Sequence, residues 1–119
     1  MTNAEVEKFL LSLPHTTLSV QWGLDRVFKI AGKMYAVIGF HDDGTPGGMS
    51  FKASDESFRI LTELPGIKPA PYLARAHWVW LDKPNRLPAK ELKAYLTRAR
   101  AIVGSGLPKK KQKELGLAK

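Results

Sequence analysis

Four lysines near the carboxyl end of the sequence form the group of side chains with the clearest chemistry. They are Lys109, Lys110, Lys111 and Lys113, and they follow Pro108, a residue common at the start of helices. The first turn of a helix carries partial positive charge, so lysines there cost about 0.3–1 kcal/mol each unless an anion binds them. The spacing predicts a polyanion-binding helix start, with a frayed, solvated tail as the alternative.

Three further basic residues belong to the longest predicted helix, which opens at Pro88. Because successive helical residues rotate by about 100°, Lys90, Lys93 and Arg100 share one flank, beside the apolar stripe that contains Leu92. Such a flank is either a cationic ridge for phosphates or a solvated helix face. For this helix taken alone we favour the solvated face.

Other residue types give no catalytic or metal-binding pattern. The sequence contains no cysteine, and its three histidines are isolated from one another. The segment His41–Asp43 lacks the alternating ligands of a calcium loop, and the glycines of 44–48 do not have phosphate-loop spacing. No serine lies in a nucleophile-elbow context, and no pair of carboxylates indicates acid–base chemistry. We therefore expect a non-enzymatic protein with no metal and no cofactor.

The distribution of charge points to a class of partner. The 19 basic and 11 acidic residues give a net charge of +8. Residues 1–60 contain six basic and seven acidic residues, whereas residues 61–119 contain thirteen and four, so all the excess lies in the second half. This asymmetry favours a polyanion, with nucleic acid first and an anionic membrane surface second.

The periodicity of the apolar residues predicts the elements that position these side chains. A capping box at Thr2–Glu5 begins a helix that ends before Pro14. Residues 17–52 then alternate with a period of two, which predicts four strands joined by hairpins. A second helix starts after Ser54, an aromatic strand covers His77–Leu81, and two helices follow.

These elements describe an α+β protein. We expect a two-layer sandwich with an antiparallel sheet of about five strands and helices packed on one face, in a single domain over residues 1–119. No apolar run approaches the roughly 20 residues of a membrane span. We expect a cytoplasmic monomer that is not bound to membranes.

The tryptophans have two interpretations. Trp78 and Trp80 lie two apart on one strand and so share a face, where such a pair is more often core than a stacking surface for bases. Trp22, which precedes Gly23, is equally ambiguous. We expect His77 and Trp78 to be structural.

Four segments together resemble the MmcQ/YjbR family, and their order and spacing span nearly the whole chain. The segments are 26–36 (RVFKIAGKMYA), 51–54 (FKAS), 69–72 (PAPY) followed by His77 and Trp78, and 107–110 (LPKK). The resemblance implies a frataxin-like or secretion-chaperone-like α/β fold in bacterial cytoplasmic proteins described as predicted DNA-binding. It also implies wing-like hairpins at 26–36 and 41–48, and its pattern carries over best to Lys29, Lys33, Lys52, His77 and Trp78.

Our leading hypothesis is a protein that binds double-stranded DNA through backbone contacts, with little sequence preference. The candidate nucleic-acid-binding residues are Lys29, Lys33, Lys52, Lys90, Lys93, Arg100, Lys109, Lys110, Lys111 and Lys113. The alternative is a protein-binding adaptor with an aromatic groove between sheet and helices, lined by Trp22, Tyr72, Trp78 and Trp80. The two hypotheses differ in the salt dependence of binding.

Overall fold

The structure is a computed structural model that describes residues 1–71 and 73–117. Its strands are β1 (Thr16–Gln21), β2 (Asp25–Ile30), β3 (Lys33–Phe40), β4 (Pro46–Lys52), β5 (Ile67–Pro69) and β6 (Trp78–Leu81). Its helices are α1 (Asn3–Ser12), α2 (Asp55–Leu61), α3 (Ala89–Ser105) and α4 (Lys109–Glu114). Two short 3₁₀ turns lie at Ala74–Ala76 and Pro84–Arg86.

The strands form one six-stranded sheet in the order β1-β2-β3-β4-β6-β5, with every neighbouring pair antiparallel. The first four strands follow one another by hairpins, and β6 then pairs with β4. The α+β class and the antiparallel sheet are confirmed, but the expectation of about five strands was one short. The sixth strand, β5, has only three residues and contains Pro69, so it carries too little alternation to be recognised from sequence.

The main hydrophobic core lies between one face of this sheet and the helices. Val6 and Leu10 of α1 and Leu92 and Leu96 of α3 are fully buried in it. Sheet residues such as Phe51 contribute side chains to this core from the strands, and Leu61 of α2 belongs to the same cluster. Helices therefore cover one face, as the periodicity predicted.

Local signals set the ends of the helices. The side chain of Thr2 accepts from the backbone N–H of Glu5 at 3.2 Å, while the Glu5 carboxylate accepts from Thr2 N–H at 2.9 Å. These two bonds confirm the capping box, and the Thr2 N–H that the carboxylate accepts is the main cause of the lowered pKa of Glu5. Ser54 caps α2 through the N–H of Ser57, also as predicted.

The other face of the sheet, called here the open face, holds a smaller apolar cluster. Val27, Val37, Ala70 and Trp78 are buried in it, and Trp80 packs at its margin. Side chains in register across the strands form a row on this face, consisting of Ser19, Val27, Val37, Ser50, Trp80 and Lys68. In the residues that the structure describes, no helix has the length and apolar character needed to cross a membrane.

Candidate nucleic-acid interface

The β2–β3 hairpin forms one end of the molecule. Its two turn residues, Ala31 and Gly32, both have positive φ angles (50° and 80°), which suits a tight two-residue hairpin turn. Lys33 is exposed at the first position of β3. Lys29 is half-buried and lies in register with Met34 and with Thr17 of the edge strand. The hairpin thus presents two ammonium groups at this end.

Helix α4 follows α3 at the same end of the molecule as the hairpin. A side-chain carbon added at Gly104 would lie 3.2 Å from Leu117 Cδ1 and 3.7 Å from Ile30 Cδ1, so the end of α3 is enclosed between the hairpin and the residues after α4. The Gln112 amide fixes α4 by donating to the carbonyls of Ser105, at 3.1 Å, and Leu107, at 2.7 Å. Tertiary packing therefore places α4 and the β2–β3 hairpin at the same end of the molecule.

The lysines of α4 point to solvent. Lys109, Lys110, Lys111 and Lys113 are all exposed, and Lys111 is 3.5 Å from Glu114 in a surface ion pair. Pro108 precedes the helix as predicted. However, α4 has only six residues, so its dipole is short and the positive charge at this helix comes from the lysine side chains themselves.

Two other candidate nucleic-acid-binding residues lie at this end, and each donates a hydrogen bond to a backbone carbonyl. Arg100 Nε donates to Pro14 O at 2.8 Å, which joins α3 to the end of α1. Lys52 Nζ donates to the carbonyl of Ala76. Both side chains therefore have a structural contact, and both still add positive charge. The group Lys29, Lys33, Lys52, Arg100, Lys109, Lys110, Lys111 and Lys113 is called here the basic end.

Lys90 and Lys93 do not belong to the basic end. At about 1.5 Å per residue, Lys90 lies about 21 Å along α3 from Gly104, and Lys93 about 16 Å. Lys93 Nζ lies instead 5.7 Å from the centre of the Phe9 ring on α1. The structure separates Lys90 and Lys93 from Arg100 along α3, so the phosphate-binding role of these three side chains as one ridge stays a prediction.

The opposite end of the sheet carries carboxylates. Asp25 Oδ1 accepts from Phe40 N–H at 3.0 Å, and Asp43 accepts from both the N–H and the hydroxyl of Thr45, which lowers the pKa of Asp43. Asp42 lies close to the β1–β2 turn, 3.9 Å from a carbon added at Gly23. The second wing-like hairpin, at 41–48, therefore belongs to an acidic end and is poorly suited to phosphates.

The aromatic groove lies on a different face from the one expected. Trp22 is 64% exposed and lines a cavity of about 340 Å³ on the open face, together with Met34, Val37 and Leu73. Trp78 is buried beside this cavity and Trp80 is half-buried, with Lys68 Nζ 4.8 Å from its ring centre. The groove is thus not between sheet and helices, because an alternating strand directs both tryptophans away from α3. Tyr72 lies outside the described residues.

His77 contacts a neighbouring helix, although it does not lie in a strand. It has a left-handed backbone (φ 58°) at the end of the 3₁₀ turn, and β6 begins one residue later than expected. Its Nδ1 is 2.6 Å from Asp55 Oδ1, and its ring is 5.1 Å from that of Phe58. His77 thus joins the β6 segment to the start of α2. The sequence offered no signal for the Asp55 contact, since it depends on the backbone conformation at His77.

Comparison with known families identifies the family of the chain. A model of the YjbR family matches residues 11–102, which is most of the chain. The chain belongs to the YjbR family. The matched range contains the β2–β3 hairpin and most of α3 of this YjbR protein, whereas α4 and its four lysines lie beyond it.

A solved structure supports the same assignment for the YjbR chain. This chain is similar to the crystal structure of Deinococcus radiodurans protein DR2400, described as a DUF419 domain. The two share 26% sequence identity, and the TM-score is 0.83. The similarity covers 98% of this chain and 89% of the DR2400 chain, so the aligned part of this chain includes α4. No curated protein matches the sequence significantly.

Proposed function

We propose that this YjbR protein binds duplex DNA through phosphate contacts made by its basic end. The observation that supports the proposal is the packing of Gly104 against Ile30 and Leu117, which brings the lysines of α4 and of the β2–β3 hairpin to the same end of the molecule. Phosphates are bound by charges grouped on one side, and scattered charges chiefly increase solubility. The proposed activity is binding without catalysis, in the cytoplasm.

The residue types favour backbone contacts over the reading of bases. The exposed side chains of α4 are mainly lysines, which act as mobile point charges, whereas bases are read by bidentate Arg, Asn and Gln. A helix of six residues also offers few positions to a DNA groove. We therefore expect similar affinity for unrelated duplexes.

The carboxylates at the opposite end would orient the protein on DNA. Asp25, Asp42 and Asp43 lie at the far end of the strands that carry Lys29 and Lys33. A polyanion repels that end and attracts the other, so the charge separation along the strands favours approach by the basic end.

Salt dependence tests the proposal. If about five lysines neutralise phosphates, log K should fall against log salt with a slope of about −4 to −5. The measurement is fluorescence anisotropy with random duplexes of about 20 base pairs between roughly 50 and 200 mM salt. Binding weaker than about 100 μM at 50 mM salt would fall below ordinary non-specific association and would contradict the proposal.

A second candidate function is protein binding at the open-face groove. The observation that favours it is the exposed ring of Trp22 beside an apolar cavity of about 340 Å³, since exposed aromatic anchors next to a pocket are typical of protein interfaces. Binding there should be reduced by Trp22→Ala and should respond only weakly to salt. This response separates the two candidates.

A further inference from the structure

The two edges of the sheet differ in how they are protected. β5, at one edge, has three residues and includes Lys68 and Pro69, which are residue types that block the addition of another strand. β1, at the other edge, has six residues with the sequence TTLSVQ and contains neither proline nor charge. It pairs with β2 over its whole length without a bulge. β1 therefore offers a regular edge for another strand.

Apolar side chains accompany this edge. Val20 of β1 is 58% exposed, and Leu11 of α1, on the helix packed over β1, is 46% exposed. Leu18 lies on the same side of β1 as Val20 and is partly buried in the main core. A strand added to β1 would cover Val20 and would pair the unbonded backbone groups of the edge.

The pattern of charge selects a second copy of this chain as the added strand. Within each sheet Thr17 is in register with Lys29, and Gln21 with Asp25, so the basic and acidic ends flank β1 at its two ends. An antiparallel pairing of two copies places the basic end of each beside the acidic end of the other. A parallel pairing would bring two basic ends together and would be opposed by repulsion.

We propose that two copies of this chain pair antiparallel through β1, with Ser19 on the two-fold axis. In this register Leu18 lies opposite Val20 of the second copy, and Thr17 lies opposite Gln21 of the second copy. Apolar pairs thus fall on the helix side and polar pairs on the open face, as the alternation of TTLSVQ requires. The six-stranded sheets of the two copies then join into one continuous sheet. The proposal is independent of DNA binding and replaces the expectation of a monomer.

Analytical ultracentrifugation tests the pairing. The mass of the wild-type chain should rise from 13.2 kDa towards twice that value as the concentration increases to about 1 mM, the weak end of specific association. Val20→Lys should keep the single-chain mass throughout. Ile60→Lys is the matched control, because Ile60 is 53% exposed but lies on α2, and it should dimerise like the wild type. Circular dichroism should show that all three proteins are folded.

Cross-linking tests the register, since the chain has no native cysteine. Ser19→Cys should form a covalent dimer on mild oxidation faster than Gln21→Cys, because only a residue on the axis meets its own copy. A wild-type mass of one chain at all concentrations would overturn the proposal, and so would a dimer that persists in Val20→Lys. Faster cross-linking at Gln21→Cys would overturn the antiparallel register.

Discussion

The indole ring of Trp80 lies directly over the backbone of Gly48. A side-chain carbon added at Gly48 would be 2.6 Å from Trp80 Nε1 and 2.7 Å from two ring carbons, closer than atoms can approach. Gly48 also has φ +93°, which L side chains rarely adopt. Glycine at this position therefore allows Trp80 to pack flat against β4 and shapes the open face.

Replacing Gly48 by alanine should destabilise the fold through both strain and collision. Gly44→Ala is a matched control, because Gly44 has φ +85° but no atom within 4 Å of an added carbon. We expect Gly44→Ala to lower the free energy of unfolding by about 1–2 kcal/mol, and Gly48→Ala by a further 1–3 kcal/mol. Urea denaturation measures both. Equal losses in the two variants would show that Trp80 moves aside without cost.

Trp78 should contribute mainly to stability. It is 4% exposed and packs with Val27, Val37 and Ala70, so Trp78→Ala should lower the free energy of unfolding by about 3–5 kcal/mol. Trp22→Ala, at a ring that is 64% exposed, should change it by less than about 1 kcal/mol. Chemical denaturation compares the two. An unchanged midpoint for Trp78→Ala would instead move this tryptophan to the binding surface.

The lysines of α4 should affect DNA binding more than folding. The combined change of Lys109, Lys110, Lys111 and Lys113 to Gln should weaken binding to duplex DNA and flatten the salt slope by about 3–4. The melting temperature should stay equal or rise, because four exposed like charges are removed.

The control for the α4 variant is the double change of Lys90 and Lys93 to Gln, which removes exposed charge from α3 away from the basic end. This control should keep most of the DNA affinity. Equal losses in both variants would indicate attraction by net charge alone, and a loss of stability without loss of affinity in the α4 variant would show that its lysines are structural.

Asp82 and Arg86 should give the stability a measurable dependence on acid. Arg86 Nε and Nη2 each donate to the Asp82 carboxylate at 2.7 Å, and this pairing lowers the pKa of Asp82. The pKa of Asp82 is lower in the folded protein than in the unfolded chain. The pair therefore stabilises the fold at pH values above the unfolded pKa, and this stabilisation is lost as the pH falls through the folded pKa. Asp82→Asn should therefore cost stability near pH 6, and this cost should shrink below about pH 4.

Urea denaturation of wild type and Asp82→Asn across this pH range checks the prediction. A cost that stays constant with pH would mean that the carboxylate contributes through its shape and hydrogen bonds alone. Because the pair is at the surface, we expect the effect to weaken further with added salt.

Local patterns in the sequence were sufficient for most elements. The capping box at Thr2–Glu5, the alternation of β1 to β4 and the apolar stripe of α3 each depend on neighbours within a few residues. For the same reason, the approximate bounds of the helices and the two-layer class could be predicted. β5 could not, because three residues with a proline have no period.

For the candidate site, too, local sequence determined some features and tertiary packing determined others. The sequence by itself determined which residues are basic and that those of 109–113 form a helix after Pro108. Only the tertiary structure decided that the residues after this helix lie beside Gly104 and Ile30, at the end of the sheet formed by the β2–β3 hairpin. It also decided that Lys90 lies at a distance and that Trp78 and Trp80 face away from α3. The physical reason is that side chains far apart in the chain meet only when α3 has packed along the sheet, and that packing depends on buried volume and register across several strands.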